Sequence, residues 1–230
     1  MLLDVLFEPN VAPHCELIVI RTPFIIPERE VRVAVPTVNS LLGDKLTAFA
    51  PRTIGILYDP KRKTDIAKQL FDVGILFDAV TDLGEAAEVY AVTHARQLVY
   101  RKAAFSLANT LNDSMQADLI LSQFHLKGEV ETEDGKFLYE GIFNLANHLV
   151  NSPYRHADAR VAASKAPCTA AWILRLPAGM SVEQLRYQPA RAGELCGLQI
   201  RTPWASLTRL KGGNPEAFHY WYQAQRILNA

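Results

Sequence analysis

The sequence predicts an α+β fold, with a small N-terminal β-sheet followed by a mostly helical C-terminal domain. Three observations carry this prediction. Short Val- and Ile-rich segments bounded by prolines fill the first 36 residues. Apolar residues spaced three or four apart recur from Ser40 onward, which is helical periodicity. A chain of 230 residues, 49% of them hydrophobic, is long enough to bury one large core or two modest ones. The composition shift near Gly84 divides the expected domains at 1–83 and 84–230.

Taken in order, residues 1–7 read as an apolar strand interrupted by Asp4. Asp is depleted in strands, so Asp4 marks either a sheet edge or a metal-binding cleft. Residues 16–21 and 30–35 read as two further strands. Val31, Val33 and Val35 fall on one face of the latter and Arg32 on the other, the alternation of a half-buried strand. This short sheet has an open apolar edge, which invites a second chain to pair and predicts self-association. Light scattering at high concentration checks this, because a monomer counts against it.

Residues 40–50 read as a helix stopped by Pro51. Leu41, Leu42, Leu46 and Phe49 form its apolar stripe, and Lys45 lies four residues from both Leu41 and Phe49. Lys45 is either a snorkelling lysine with a buried stem or a lysine aimed into a cleft to meet a phosphate or carboxylate. Asp44 points about 100° away from it. Residues 51–62 read as a loop with Arg52, Lys61 and Arg62, followed by Lys63. That is either a solvated connector or an anion-facing patch, where Tyr58 is a base-stacking candidate. Residues 64–77 read as a helix with Ile66, Leu70, Val73 and Phe77 inward and Asp65, Lys68 and Asp72 as a charged stripe opposite.

Residues 84–105 read as one long helix with Ala87, Ala91, His94, Leu98 and Phe105 on a face. Residues 112–124 read as a helix capped by Asn112, and 127–136 as an acidic loop ending at the Asp134-Gly135 turn. Residues 137–150 form the next expected helix. The alanine-rich 157–174 stretch is expected to kink or split at Pro167. Ser181 to Gln184 fits a capping box, and Thr202-Pro203 and Asn214-Pro215 each place a capping residue before a proline. The last helix carries Phe218, Trp221, Tyr222 and Leu228 on one side, a core pattern.

Twenty-four basic residues balance 24 acidic ones, which argues against indiscriminate nucleic-acid binding. The three cysteines, Cys15, Cys168 and Cys196, form no C-x-x-C pair, so neither a zinc site nor a disulfide framework is indicated, and reduced thiols fit best. The chain has no run of 18 apolar residues and no basic-then-apolar leader, so a soluble cytoplasmic protein without membrane contact is expected.

The runs LLGDKLTAFAPRTIGI (residues 41–56) and DIAKQLFDVGILFD (65–78) resemble the abortive-infection AbiE-type (AbiEii) nucleotidyltransferase toxin family. LLDVLFE at 2–8 is similar to that family's strand bearing a third carboxylate, and NPEAFHYWY at 214–222 to its C-terminal helix. The resemblance implies a fold related to DNA polymerase beta and a bacterial toxin paired with an antitoxin. It implies transfer of a nucleotide from a triphosphate to an acceptor such as an RNA end, with Mg²⁺. It places Asp4 as a metal ligand and Lys45, Asp44, Asp65 and Lys68 in the catalytic cleft. Arg52, Arg62 and Lys63 are placed on the substrate.

The family signature, a Gly-Ser turn and then Asp-x-Asp ahead of the strand resembled by residues 2–8, has no counterpart here. No Gly-Ser dipeptide occurs in the sequence. The chain therefore reads as a truncated nucleotidyltransferase-like domain. The alternative is a catalytically inactive homologue acting as a binding or interaction module.

Overall fold

A computed structural model describes residues 13–21, 24, 28–150 and 153–230. The fold is α+β, with a two-stranded antiparallel sheet followed by mostly helical structure. Strand β1 (Cys15–Val19) pairs with β2 (Arg32–Pro36), Cys15 opposite Pro36 and Val19 opposite Arg32. Val33 and Val35 are half-buried while Arg32, Ala34 and Pro36 are exposed, as the alternation predicts. The outer strand faces water, with Leu17 70% exposed. The strand expected at residues 1–7 lies outside the described residues.

Among the described residues seven α-helices follow: α1 (Val38–Ala48), α2 (Lys63–Ala79), α3 (Leu83–Arg101), α4 (Leu107–Gln123), α5 (Glu133–Ala146), α6 (His156–Arg175) and α7 (Pro215–Leu228). Short 3₁₀ segments occupy Pro60–Arg62, Val182–Gln184, Pro189–Leu195 and Ala205–Gly212. Helix α6 is central, packing against α2, α4 and α7, and α1 is held between α2 and α3. One hydrophobic cluster runs from Leu42 in α1 to Ile227 in α7.

The sheet is tied to α1 and α3 by polar contacts. Thr37 caps α1 by accepting from the Ser40 amide at 3.1 Å, and Ser40 Oγ donates to the His14 carbonyl at 2.9 Å. Thr37 also donates to Glu85 on α3, and Asn39 Nδ2 reaches the same carboxylate at 2.9 Å. Burial pushes the Glu85 pKa up, but donation from Asn39 and Thr37 outweighs it and holds the carboxyl below its ordinary value.

Helix α1 approaches α3 at Gly43. A Cβ there would lie 2.3 Å from the Ala86 carbonyl oxygen and 2.9 Å from the Tyr90 amide, both backbone atoms that cannot swing away. Gly43→Ala is therefore expected to destabilise the fold by roughly 1–3 kcal/mol, despite alanine's better helix propensity. A thermal melt checks this. A variant as stable as the parent would show that α1 and α3 are not in this contact.

Several boundaries differ from the sequence reading. Helix α4 begins at Leu107 and not at Asn112, because Ser106 and Asn109 form a reciprocal capping box. Helix α5 begins at Glu133, capped by Thr132 on the Gly135 amide at 3.0 Å, so Asp134-Gly135 is a first helical turn and not a loop's end. Helix α3 stops at Arg101, because Lys102 is left-handed and the Ala103 amide returns to the Leu98 carbonyl at 3.0 Å. Its buried face is also rotated, running through Leu83, Ala86, Val89, Tyr90, Thr93 and His94, so that Ala86 and Tyr90 meet Gly43.

Pro167 neither splits nor ends α6. Residues 162–173 are all buried, so packing on every side outweighs the roughly 3 kcal/mol that an interior proline costs. Thr202-Pro203 starts no helix; the next 3₁₀ segment begins after Trp204. Asn214 does cap α7, accepting from the Ala217 amide at 3.2 Å, with Pro215 in its first position. Phe218 and Trp221 are fully buried and Trp221 Nε1 donates to Ser122 Oγ at 3.0 Å, so this aromatic face is core.

Candidate active site

The α1 and α2 side chains singled out by the sequence do meet in part. Gly43 seats α1 on α3, and from that position Lys45 extends towards α2. Its Nζ lies 3.6 Å from Asp72 Oδ2, with the two side chains 29% and 25% exposed. This is a loose pair at a water-accessible edge. Such pairs contribute at most about 1 kcal/mol, so the ammonium is oriented without being locked away. Asp72 is also the last member of the α2 stripe that begins at Asp65 and Lys68, which places all three on one helix face.

Asp44 does not join Lys45 and Asp72. Desolvation by the surrounding protein raises its pKa against the pull of Lys45 and of Arg96 on α3. Asp65 pairs with Arg62 Nε at 3.1 Å, and both are exposed. Lys68 is exposed on α2.

The basic loop residues are dispersed. Arg52 pairs with Asp134 at the start of α5 and stands 5.3 Å over the Tyr58 ring. Its backbone amide and Thr53 Oγ1 both donate to Asp113 on α4, each at 2.8 Å. Lys63 pairs with Glu140 on α5 and lies 5.5 Å over Phe137. Tyr58 packs edge-on to Phe137 at 5.1 Å, where burial pushes its hydroxyl pKa up. Arg52, Arg62 and Lys63 thus each hold a carboxylate, and the loop is pinned to α4 and α5.

Asp4, expected as a metal ligand, lies outside the described residues. Among the described residues no three His, Cys, Asp or Glu side chains converge as a metal site. His94 is a core histidine; it is buried and its Nε2 is 3.1 Å from Thr110 Oγ1.

Three partnerships escaped the sequence reading: Asp72 with Lys45, Asp134 with Arg52, and Glu140 with Lys63. The last two join residues 77 and 82 positions apart, for which local spacing carries no signal. A hint of the first existed, since Asp72 follows Asp65 by seven on one helix face. Asp118 on α4 also went unremarked. It is wholly buried, and neither carboxylate oxygen has a hydrogen-bond partner among the described residues.

No helix among the described residues is long and apolar enough to cross a membrane. The model of the family described as "Nucleotidyl transferase AbiEii toxin, Type IV TA system" matches residues 1–142. Searches of curated proteins and of solved structures return no match.

Proposed function

Because this chain belongs to the AbiEii nucleotidyl transferase toxin family, we propose that it handles a nucleoside triphosphate at the α1–α2 edge and transfers the nucleotide to an acceptor such as an RNA end. In this reading the acceptor hydroxyl attacks the α-phosphorus and gives up its proton to solvent, the bond to the β-phosphate oxygen breaks, and pyrophosphate leaves. The observation that carries the proposal is the placement of Lys45 within the matched residues, half-exposed and loosely paired to Asp72. A lysine has three donors, so Lys45 keeps Asp72 as an orienting partner while meeting phosphate oxygens. It stabilises charge that develops as the leaving group departs.

Asp65 and Lys68 line the same α2 face and position the substrate, with Asp44 one residue from Lys45. Arg52, Arg62 and Lys63 take part only by exchanging their carboxylate partners for phosphate. Mg²⁺ is expected to enter with the triphosphate, supplying charge neutralisation, and Asp4 is the ligand proposed for it. Among the described residues no cluster of His, Cys, Asp and Glu side chains forms a metal site of its own. A cognate antitoxin and a cytoplasmic setting complete the proposal.

The test is incubation with α-³²P-labelled nucleoside triphosphates, Mg²⁺ and total RNA. Label transferred to RNA or to protein, and lost in Lys45→Ala, is the expected result. A folded protein that neither transfers label nor binds any of the four triphosphates overturns the enzyme reading and leaves an interaction module.

A further inference from the structure

A cavity of about 620 Å³ opens between the 3₁₀ turns of residues 182–195 and helix α7. That volume is within the roughly 300–1,000 Å³ range of small-molecule sites. None of its lining comes from α1 or α2, and all of it lies beyond the residues that the family model matches. Most of its charges are already satisfied. Arg186 is held by Glu183 and by the carbonyl oxygens of Asp78 and Val80. Arg191 makes a two-pronged pair with Glu194 at 2.7 and 2.8 Å. His219 Nε2 is 2.8 Å from the Leu185 carbonyl, and burial lowers its pKa, so it is neutral at pH 7.

Two groups in the cavity wall have no hydrogen-bond partner from the described residues. The Arg226 guanidinium, exposed on α7, meets no carboxylate or carbonyl among the described residues. Gln223, one turn earlier and more than nine-tenths buried, has an amide oxygen with no hydrogen-bond partner. That oxygen is closed to solvent, so a ligand meets it only when the Gln223 amide turns towards the cavity; a partner gained there recovers the roughly 1–3 kcal/mol that an unpaired buried acceptor costs. Tyr222 and Tyr187, both half-buried, add aromatic walls beside these two groups. A second cavity of similar size continues past Tyr222 and Arg226 towards Arg201.

We propose that this cleft binds a nucleoside monophosphate, with its phosphate on Arg226, its base against a tyrosine ring and the base edge on the Gln223 amide. A guanidinium fork matches two phosphate oxygens. An amide offers a donor and an acceptor, the complement of a base edge. Stacking on an aromatic ring contributes about 1–3 kcal/mol per base. A bare anion uses only the first of these three contacts, so the site favours the whole nucleotide over phosphate alone.

Calorimetric titration of the full chain with AMP, GMP, CMP and UMP tests this, done in a Lys45→Ala background to silence the α1–α2 edge. At least one nucleotide is expected to bind tenfold or more tightly than inorganic phosphate. Arg226→Ala is expected to weaken that binding at least tenfold, and its exposed side chain makes misfolding avoidable. Gln223→Leu, checked by melting, is expected to narrow the preference among the four bases. Three results each overturn the proposal: no nucleotide binds, all bind as phosphate does, or Arg226→Ala leaves the affinity unchanged. Because the titration omits Lys45, its outcome is separate from that of the transferase reading.

Discussion

Lys45→Ala is expected to weaken nucleoside triphosphate binding by tenfold to a hundredfold while shifting the melting temperature by no more than about 2 °C. The two halves of this expectation rest on different energies. In the free protein Lys45 makes one loose contact, 3.6 Å to Asp72, and both groups are partly in water. Removing such a pair costs the fold well under 1 kcal/mol. Against a phosphate the same ammonium makes charge-assisted hydrogen bonds worth about 1.5–3 kcal/mol, which is one to two decades of affinity.

Asp72→Asn separates orientation from charge. It retains the size of the side chain but loses its attraction for Lys45, and it is expected to weaken binding only severalfold. Calorimetric titration with Mg²⁺ and a triphosphate reads both variants. Unchanged affinity in Lys45→Ala would return Lys45 to the simpler role of a snorkelling residue on a solvated helix edge.

The parts of the fold that local rules govern were legible in the sequence. The β2 alternation of Val33 and Val35 was visible, as were the α2 stripe of Ile66, Leu70, Val73 and Phe77 and the Asn214-Pro215 start of α7. What failed was set by tertiary context. Pro167 reads locally as a kink or a break, yet α6 continues through it, packed against three helices. The α3 face was mistaken by about a third of a turn because alanines weigh little in a pattern. The helix orients on Tyr90 and on the close approach of Gly43.

The candidate site was legible only in the helical spacing of its side chains. The sequence singled out Lys45 and the α2 charges, since both follow helical spacing. It did not reveal that Arg52 and Lys63 turn to α5, because Asp134 and Glu140 are distant in sequence. The basic loop therefore reads in the sequence as either a solvated connector or an anion-facing patch. In the fold Arg52, Arg62 and Lys63 are each paired with a carboxylate.

Asp118→Asn is expected to stabilise the protein at neutral pH, although the substitution touches a wholly buried residue. Asp118 sits in α4 with no hydrogen-bond partner for either oxygen among the described residues, and burial raises its pKa well above 3.8. The folded state therefore favours the protonated acid, while the unfolded chain ionises near the ordinary carboxylate value. With the folded pKa above the unfolded one, the unfolded state binds fewer protons between the two values. Stability then falls as pH rises from about 3.8 to the folded pKa and is level beyond it.

Each unit of separation is worth about 1.4 kcal/mol, or roughly 3–6 °C in melting temperature for a chain of this length. Asparagine keeps the shape and removes the ionisation, so the variant's advantage should grow as pH rises above about 3.8 and vanish below it. His156 complicates the raw curves, because burial and Arg160 lower its pKa to about 4. Acid therefore removes its contribution to stability between about pH 6.5 and 4. That loss is common to parent and variant and cancels in their difference, which isolates Asp118. Melts of the two proteins from pH 3 to pH 8 provide the comparison. A variant that melts no higher than the parent at pH 7 would mean that Asp118 is paired and ionised in the folded chain.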